Sequence, residues 1–142
     1  MNTFDRIVEW NRKRGLLGRD VSLQLEVSFV IEELYEMTND VTSKQIRVTA
    51  QSLAGHIVDK NYTPTDEQVV DAAADAIVYL TGLIRKTGYD PKHVMDEVLK
   101  EIESRTGEIV DGKFVKDSNA VVYKAKFQKD ERRTEEKNDG AN

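Results

Sequence analysis

The chain has 142 residues, with 26 acidic and 21 basic side chains and a formal net charge of −5. That acid excess argues against general binding to nucleic acid or to a membrane surface, both of which need basic patches. The absence of cysteine excludes a disulfide framework and a thiolate metal site.

The first segment, TFDRIVEWNRKRG, spaces Phe4, Ile7, Val8 and Trp10 near the helical period, and Gly15 and Gly18 end it. The acidic, aromatic start is unlike a signal peptide, and no apolar run approaches about 18 residues. The expectation is a soluble cytoplasmic protein. Ser22 is a candidate N-cap for a second helix reaching about Met37, with Leu23, Val27, Val30 and Leu34 as its core face. NDVTSK breaks the chain, and KQIRVTAQSLAGHIVDK is a weaker helix with Gly55 inside it. In NYTPTDEQ, Pro64 between two threonines and acids in the first turn start a long helix, from about Thr65 to Lys86, closed by Gly88. YDPKH opens another, from Asp90 to about Ser104, with Pro91 at the first helical position.

The character changes after Gly107. EIVDGKFVK reads as two short strands around Asp111-Gly112, and AVVYKAKF as a third short strand. The stretch QKDERRTEEKNDGAN is almost purely polar, which predicts disorder. The expected architecture is all-α: one helical domain over residues 1–127, with a small β-hairpin appendage at about 107–127, then a charged tail over 128–142. No internal repeat is visible.

Two acidic groups stand out. On a helical wheel of about 100° per residue, with Leu23 at zero, Val27, Val30 and Leu34 fall within roughly 40°. Glu32, Glu36 and Glu33 fall at roughly 180°, 220° and 280°, on the side that carries Leu25 and Phe29 one turn earlier. The helix EQVVDAAADAIVYLTGLI is apolar nearly all round, which predicts burial, yet it carries Asp71 and Asp75 on one face. Unpaired and partly buried carboxylates need compensation. Hard divalent cations such as Mg²⁺ or Mn²⁺ supply it, and this many carboxylates suit a cluster of ions completed by phosphate. The alternative is ordinary surface charge: any one of these acids alone is more often a solvated helix residue, and Glu32 or Glu36 could pair with Arg47 or Lys44.

EELYE, followed about forty residues later by DAAADAIVYLTGL, resembles the all-α nucleoside triphosphate pyrophosphohydrolases, the superfamily of MazG, the dimeric dUTPases and phosphoribosyl-ATP pyrophosphatase. The resemblance spans residues 4–106, and EIESRTGEIVDGKFVKD with YKAKF resembles the C-terminal part of short MazG-like proteins, several from phages. It implies a MazG-like helical bundle completed by homodimer or homotetramer formation. It implies an enzyme that cleaves (d)NTPs to (d)NMP and pyrophosphate with Mg²⁺, for which Mn²⁺ can substitute. Glu33, Glu36 and Asp75 would be metal ligands, and Glu32 a further ligand or the general base, with Glu32 and Glu33 carrying the catalytic step. The family's other acid, three residues before the aspartate, falls on Ala72 here; Asp71 would stand in from one residue earlier. Ser104-Arg105-Thr106 also departs from the Ser-Asn and lysine of many relatives.

The cations Arg105, Lys116 and Lys124 are candidate phosphate contacts, set against a reading as surface charge. Trp10 is a candidate for stacking on a base, set against a core or interface role, and Asn11 and Arg12 for reading a base edge. His56 and His93 have no partner at a diagnostic spacing. A rival reading is a slow or non-catalytic nucleotide- and metal-binding regulator of the same fold. A third is a purely structural helical dimer. No nucleic-acid or membrane partner is expected.

Overall fold

The computed structural model describes residues 1–18, 20–40, 45–118 and 122–130. Helices α1 (Thr3–Lys13), α2 (Leu23–Thr38), α3 (Ile46–Ile57), α4 (Asp66–Lys86) and α5 (Pro91–Glu103) precede strands β1 (Gly107–Val110) and β2 (Lys113–Lys116). The described chain is therefore mostly helical with a small antiparallel two-stranded sheet. It divides into two compact units: Met1–Gly18 with Asp66–Asn142, and Arg19–Thr65.

In the first unit, α1 starts where the Asn2 side chain accepts the Asp5 amide at 2.8 Å. Asp90 caps α5 by accepting the Lys92 amide at 3.2 Å, and Pro91 occupies the first turn, where its missing N–H costs nothing. Arg6 joins the two helices, donating to Asp96 at 2.7 Å and Glu103 at 2.9 Å. Trp10 Nε1 donates to the Ile102 carbonyl at 3.1 Å. Leu99 is fully buried in α5.

The hairpin has the register Gly107 opposite Lys116 and Val110 opposite Lys113. Its two-residue turn needs positive φ at both positions, and Asp111 (51°) and Gly112 (81°) supply it. Phe114 meets the Trp10 ring edge-on at 5.5 Å. At Gly107 a Cβ would collide with the Val115 carbonyl and stand 2.9 Å from Lys116 Cα.

The segment expected as a third strand does otherwise. Residues 122–128 form no strand, and side chains at the end of α5 and at its cap take the amides of Tyr123 and Ala125; residues 120–121 of the expected strand lie outside the described residues. Ser104 Oγ accepts from Tyr123 N at 2.9 Å and Glu101 Oε1 from Ala125 N at 3.0 Å. The strap ends against the α4–α5 turn, where Asp130 N donates to the Gly88 carbonyl at 2.7 Å and Arg85 pairs with Asp130 at 2.8 Å. The first residues of the expected tail, 128–130, thus belong to this strap; residues 131–142 lie outside the described residues.

Helix α4 corrects a second expectation. Every side chain from Val70 to Thr81 is exposed. Among the described residues of its own unit, packing falls on its last turn and the turn that follows, through Arg85, Gly88 and Tyr89, and the apolar surface written along it finds no cover from them.

The second unit is the α2–α3 hairpin. Ser22 Oγ caps α2 by accepting the Leu25 amide at 3.4 Å. Ile31, Ala50 and Ala54 form its core, with Val27 packed beside them. The buried face of α2 therefore runs through Val27, Ser28 and Ile31, whereas Val30 and Leu34, expected inside, are exposed. The shift has a local cause: Ala50 and Ala54 let the helices approach, and Arg47 on α3 draws the Ser28–Glu32 side inward.

Candidate functional site

The three glutamates occupy the last two turns of α2. Periodicity puts Glu32 and Glu36 one turn apart, with Glu33 beside them. Glu32 is mostly buried and engaged: Arg47 Nη1 donates to its Oε2 at 2.9 Å, while Nη2 donates to Ser28 Oγ at 2.8 Å. The guanidinium also lies 4.7 Å from the Phe29 ring centroid. Glu33 and Glu36 are exposed, and Glu36 makes no hydrogen bond or ion pair among the described residues.

Asp71 and Asp75 lie one turn apart on α4, both exposed and both without a partner among the described residues. Elsewhere on the same helix Val70 (66% exposed), Ile77, Val78 (69%) and Leu80 are exposed as well. The glutamates belong to one unit and the aspartates to the other. Among the described residues, no three His, Asp or Glu side chains converge closely enough to hold a metal ion. The donor chemistry nonetheless suits a hard cation: Glu36, Asp71 and Asp75 offer carboxylate oxygens with no competing cation among the described residues.

The secondary candidates divide. Trp10 is a packing residue, tied to Ile102 and to Phe114. Asn11 donates to the Ile7 carbonyl at 2.8 Å, one turn back along its own helix. Arg12 is held by Glu9 at 2.8 Å. Arg105 pairs with Glu101 at 3.0 Å. Lys116 and Lys124 are exposed, and Lys124 stands close enough to Glu101 to help hold its carboxyl down. His93 lies 3.3 Å from the Lys126 carbonyl, on the strap.

Glu101 accepts both the Ala125 amide and Arg105, and these hold its carboxyl below the ordinary value. Tyr123 donates to the buried Glu97 at 2.6 Å, which raises the phenol above its usual range. Neither residue stands out in the sequence, because both partnerships depend on where the strap lies. Arg14 is likewise unmarked except by its i, i+4 spacing from Trp10. Its guanidinium lies 4.4 Å from the Trp10 ring centroid and 4.8 Å from that of Phe114.

No family model, curated protein or solved structure matches the chain.

Proposed function

We propose that the chain is a Mg²⁺-dependent nucleoside triphosphate pyrophosphohydrolase, working as a homo-oligomer. One observation carries the reading: Asp71 and Asp75 sit one turn apart, without a cation partner among the described residues, in a stretch of α4, residues 69–84, whose other polar side chains are Tyr79 and Thr81. A solvated helix does not carry Val70, Ile77, Val78 and Leu80 on its surface, and a helix meant for a dry interface does not carry two like charges. The order of the Glu-Glu-x-x-Glu and Asp-x-x-x-Asp stretches, with its likeness to the all-α pyrophosphohydrolases, supports the same chemistry.

On this reading Glu33 and Glu36 are the candidate metal ligands of α2, and Asp71 and Asp75 those of α4. Bound Mg²⁺ would neutralise phosphate oxygens and lower the pKa of the attacking water. Glu32 is committed to Arg47, so it positions α2 against α3, and accepting the water proton falls to Glu33. The exposed apolar surface of α4 is covered by a second copy of the chain.

The test is a panel of NTPs and dNTPs with Mg²⁺ or Mn²⁺, assayed for pyrophosphate and monophosphate. Release is expected from wild type and lost in a Glu36→Gln, Asp75→Asn double variant. Release that survives in that variant removes the site assignment. The Arg47 contact favours one other reading, a nucleotide- and metal-binding regulator, since it occupies a candidate base. That reading predicts stabilisation by Mg²⁺ with nucleotide but no pyrophosphate.

A further inference from the structure

Arg14 closes α1, and its guanidinium lies over both the Trp10 and the Phe114 ring. Of its five N–H groups, one donates to the Arg105 carbonyl at 3.0 Å and one makes a long 3.5 Å contact to the Trp10 carbonyl. Nε is buried with no acceptor. No carboxylate pairs with this guanidinium among the described residues, and burial depresses its pKa. A partly desolvated cation without a counter-charge is disfavoured, and two carbonyls compensate it only in part.

Arg14 is also a wall of a cleft of about 430 Å³, shared with Arg6, Lys13, Trp10, Glu9 and Glu103. The acids there are already used: Glu9 by Arg12 and Lys13, Glu103 by Arg6. Arg6 and Lys100 share Asp96. The charged side chains lining the cleft are three cations (Arg6, Lys13, Arg14) and two acids (Glu9, Glu103), a local charge of +1 on a chain of net −5.

We propose that this cleft binds one phosphate group, held by Arg14 and Lys13 beside Trp10. A guanidinium with spare N–H groups matches the oxygens of a tetrahedral oxyanion. The two acids in its wall leave room for one anionic group beside the cations and repel an extended polyanion. The site shares no residue with the acidic groups of α2 and α4 and does not depend on the hydrolase reading.

Trp10 is the only tryptophan, so its fluorescence reports on the cleft directly. The probes are inorganic phosphate and glycerol 3-phosphate, titrated into the full chain at constant ionic strength, with chloride as control. A saturable change is expected. It should weaken about tenfold in Arg14→Gln, which loses a charged donor, and about threefold in Lys13→Gln, which loses an exposed one. Tighter binding of glycerol 3-phosphate assigns the site to a phosphorylated metabolite; tighter binding of inorganic phosphate assigns it to the free ion. A response without saturation, or an equal response to chloride, overturns the proposal. Lys13 is exposed and its one acidic contact, to Glu9, is 3.9 Å long, so Lys13→Gln decides the matter should Arg14→Gln fail to fold. Unchanged affinity in Lys13→Gln overturns the proposal.

Discussion

Arg47 on α3 holds Glu32 on α2 at 2.9 Å and, through its other terminal nitrogen, Ser28 at 2.8 Å. Both side chains of the ion pair are largely covered, 24% and 14% exposed. The contact fixes which face of α2 turns inward, and it leaves a carboxylate of the Glu-Glu-x-x-Glu stretch already neutralised. A residue read as part of a metal site thus has a structural task of its own.

The first prediction concerns that pair. Arg47→Met leaves Glu32 without its cation and Ser28 without its donor, and should cost about 2 kcal/mol. Glu32→Gln keeps an acceptor and should cost less. In the double variant the two losses should fail to add, by about 1 kcal/mol, because one contact is removed twice. Urea unfolding of the four proteins measures the coupling. Strict additivity would mean that the pair does not hold the hairpin together.

The second concerns pH. Glu101 accepts the Ala125 amide first of all, then interacts with Arg105, and these lower its pKa from 4.5. A carboxyl lowered on folding contributes stability that is complete above its unfolded value and lost as pH falls through the folded one. The strap over residues 122–130 should therefore loosen below about pH 4.5. Amide hydrogen exchange at Ala125, corrected for the intrinsic pH dependence, should accelerate there. In Glu101→Gln the corrected rate should be nearly flat across the same window. An Ala125 amide equally protected on both sides of the window in wild type would contradict the contact.

These contacts also mark what a sequence can disclose. Ser22, the Asp90-Pro91 start and the Asp111-Gly112 turn are legible because their chemistry is local: each satisfies a neighbouring amide or a required φ. The inner face of α2 is not. It depends on two alanines and one arginine of α3, and Leu23, Val27, Val30 and Leu34 make a better stripe on paper than the Val27–Ser28–Ile31 face that packs. Residues 122–128 alternate like a strand, but Ser104 and Glu101 take their amides, and nothing local records that. The five acids are readable as a set from their setting among apolar residues. That Arg47 claims Glu32 is one of several pairings the sequence permits, and only the fold selects it.

The third prediction addresses α4. Ile77 is 48% exposed in the single chain, on the helix face away from Asp71 and Asp75. In a monomer, Ile77→Lys should change stability by no more than about 0.5 kcal/mol. If a second copy covers this helix, the substitution buries an unpaired ammonium, which no interface of ordinary size tolerates. The variant should then sediment as a monomer while wild type sediments as an oligomer. Identical sedimentation of the two proteins would show that this face is not the interface.

The fourth prediction uses the sign of a small effect. Asp71 and Asp75, one turn apart, repel by about 0.2–0.5 kcal/mol when both are charged. Without divalent metal, Asp75→Asn should therefore unfold at a slightly higher denaturant concentration than wild type. A bound cation reverses the order. A ligand that binds only the native state adds RT ln(1 + [L]/Kd), about 2.7 kcal/mol at a hundredfold excess over Kd. Titrating Mg²⁺ should then stabilise wild type, leave Asp75→Asn nearly unchanged, and make the two unfolding curves cross. Aspartates that are merely solvated predict no crossing, because Mg²⁺ would then screen the repulsion and bring the curves together. Crossing means a metal site and convergence means surface charge, with no nucleotide present and no turnover required.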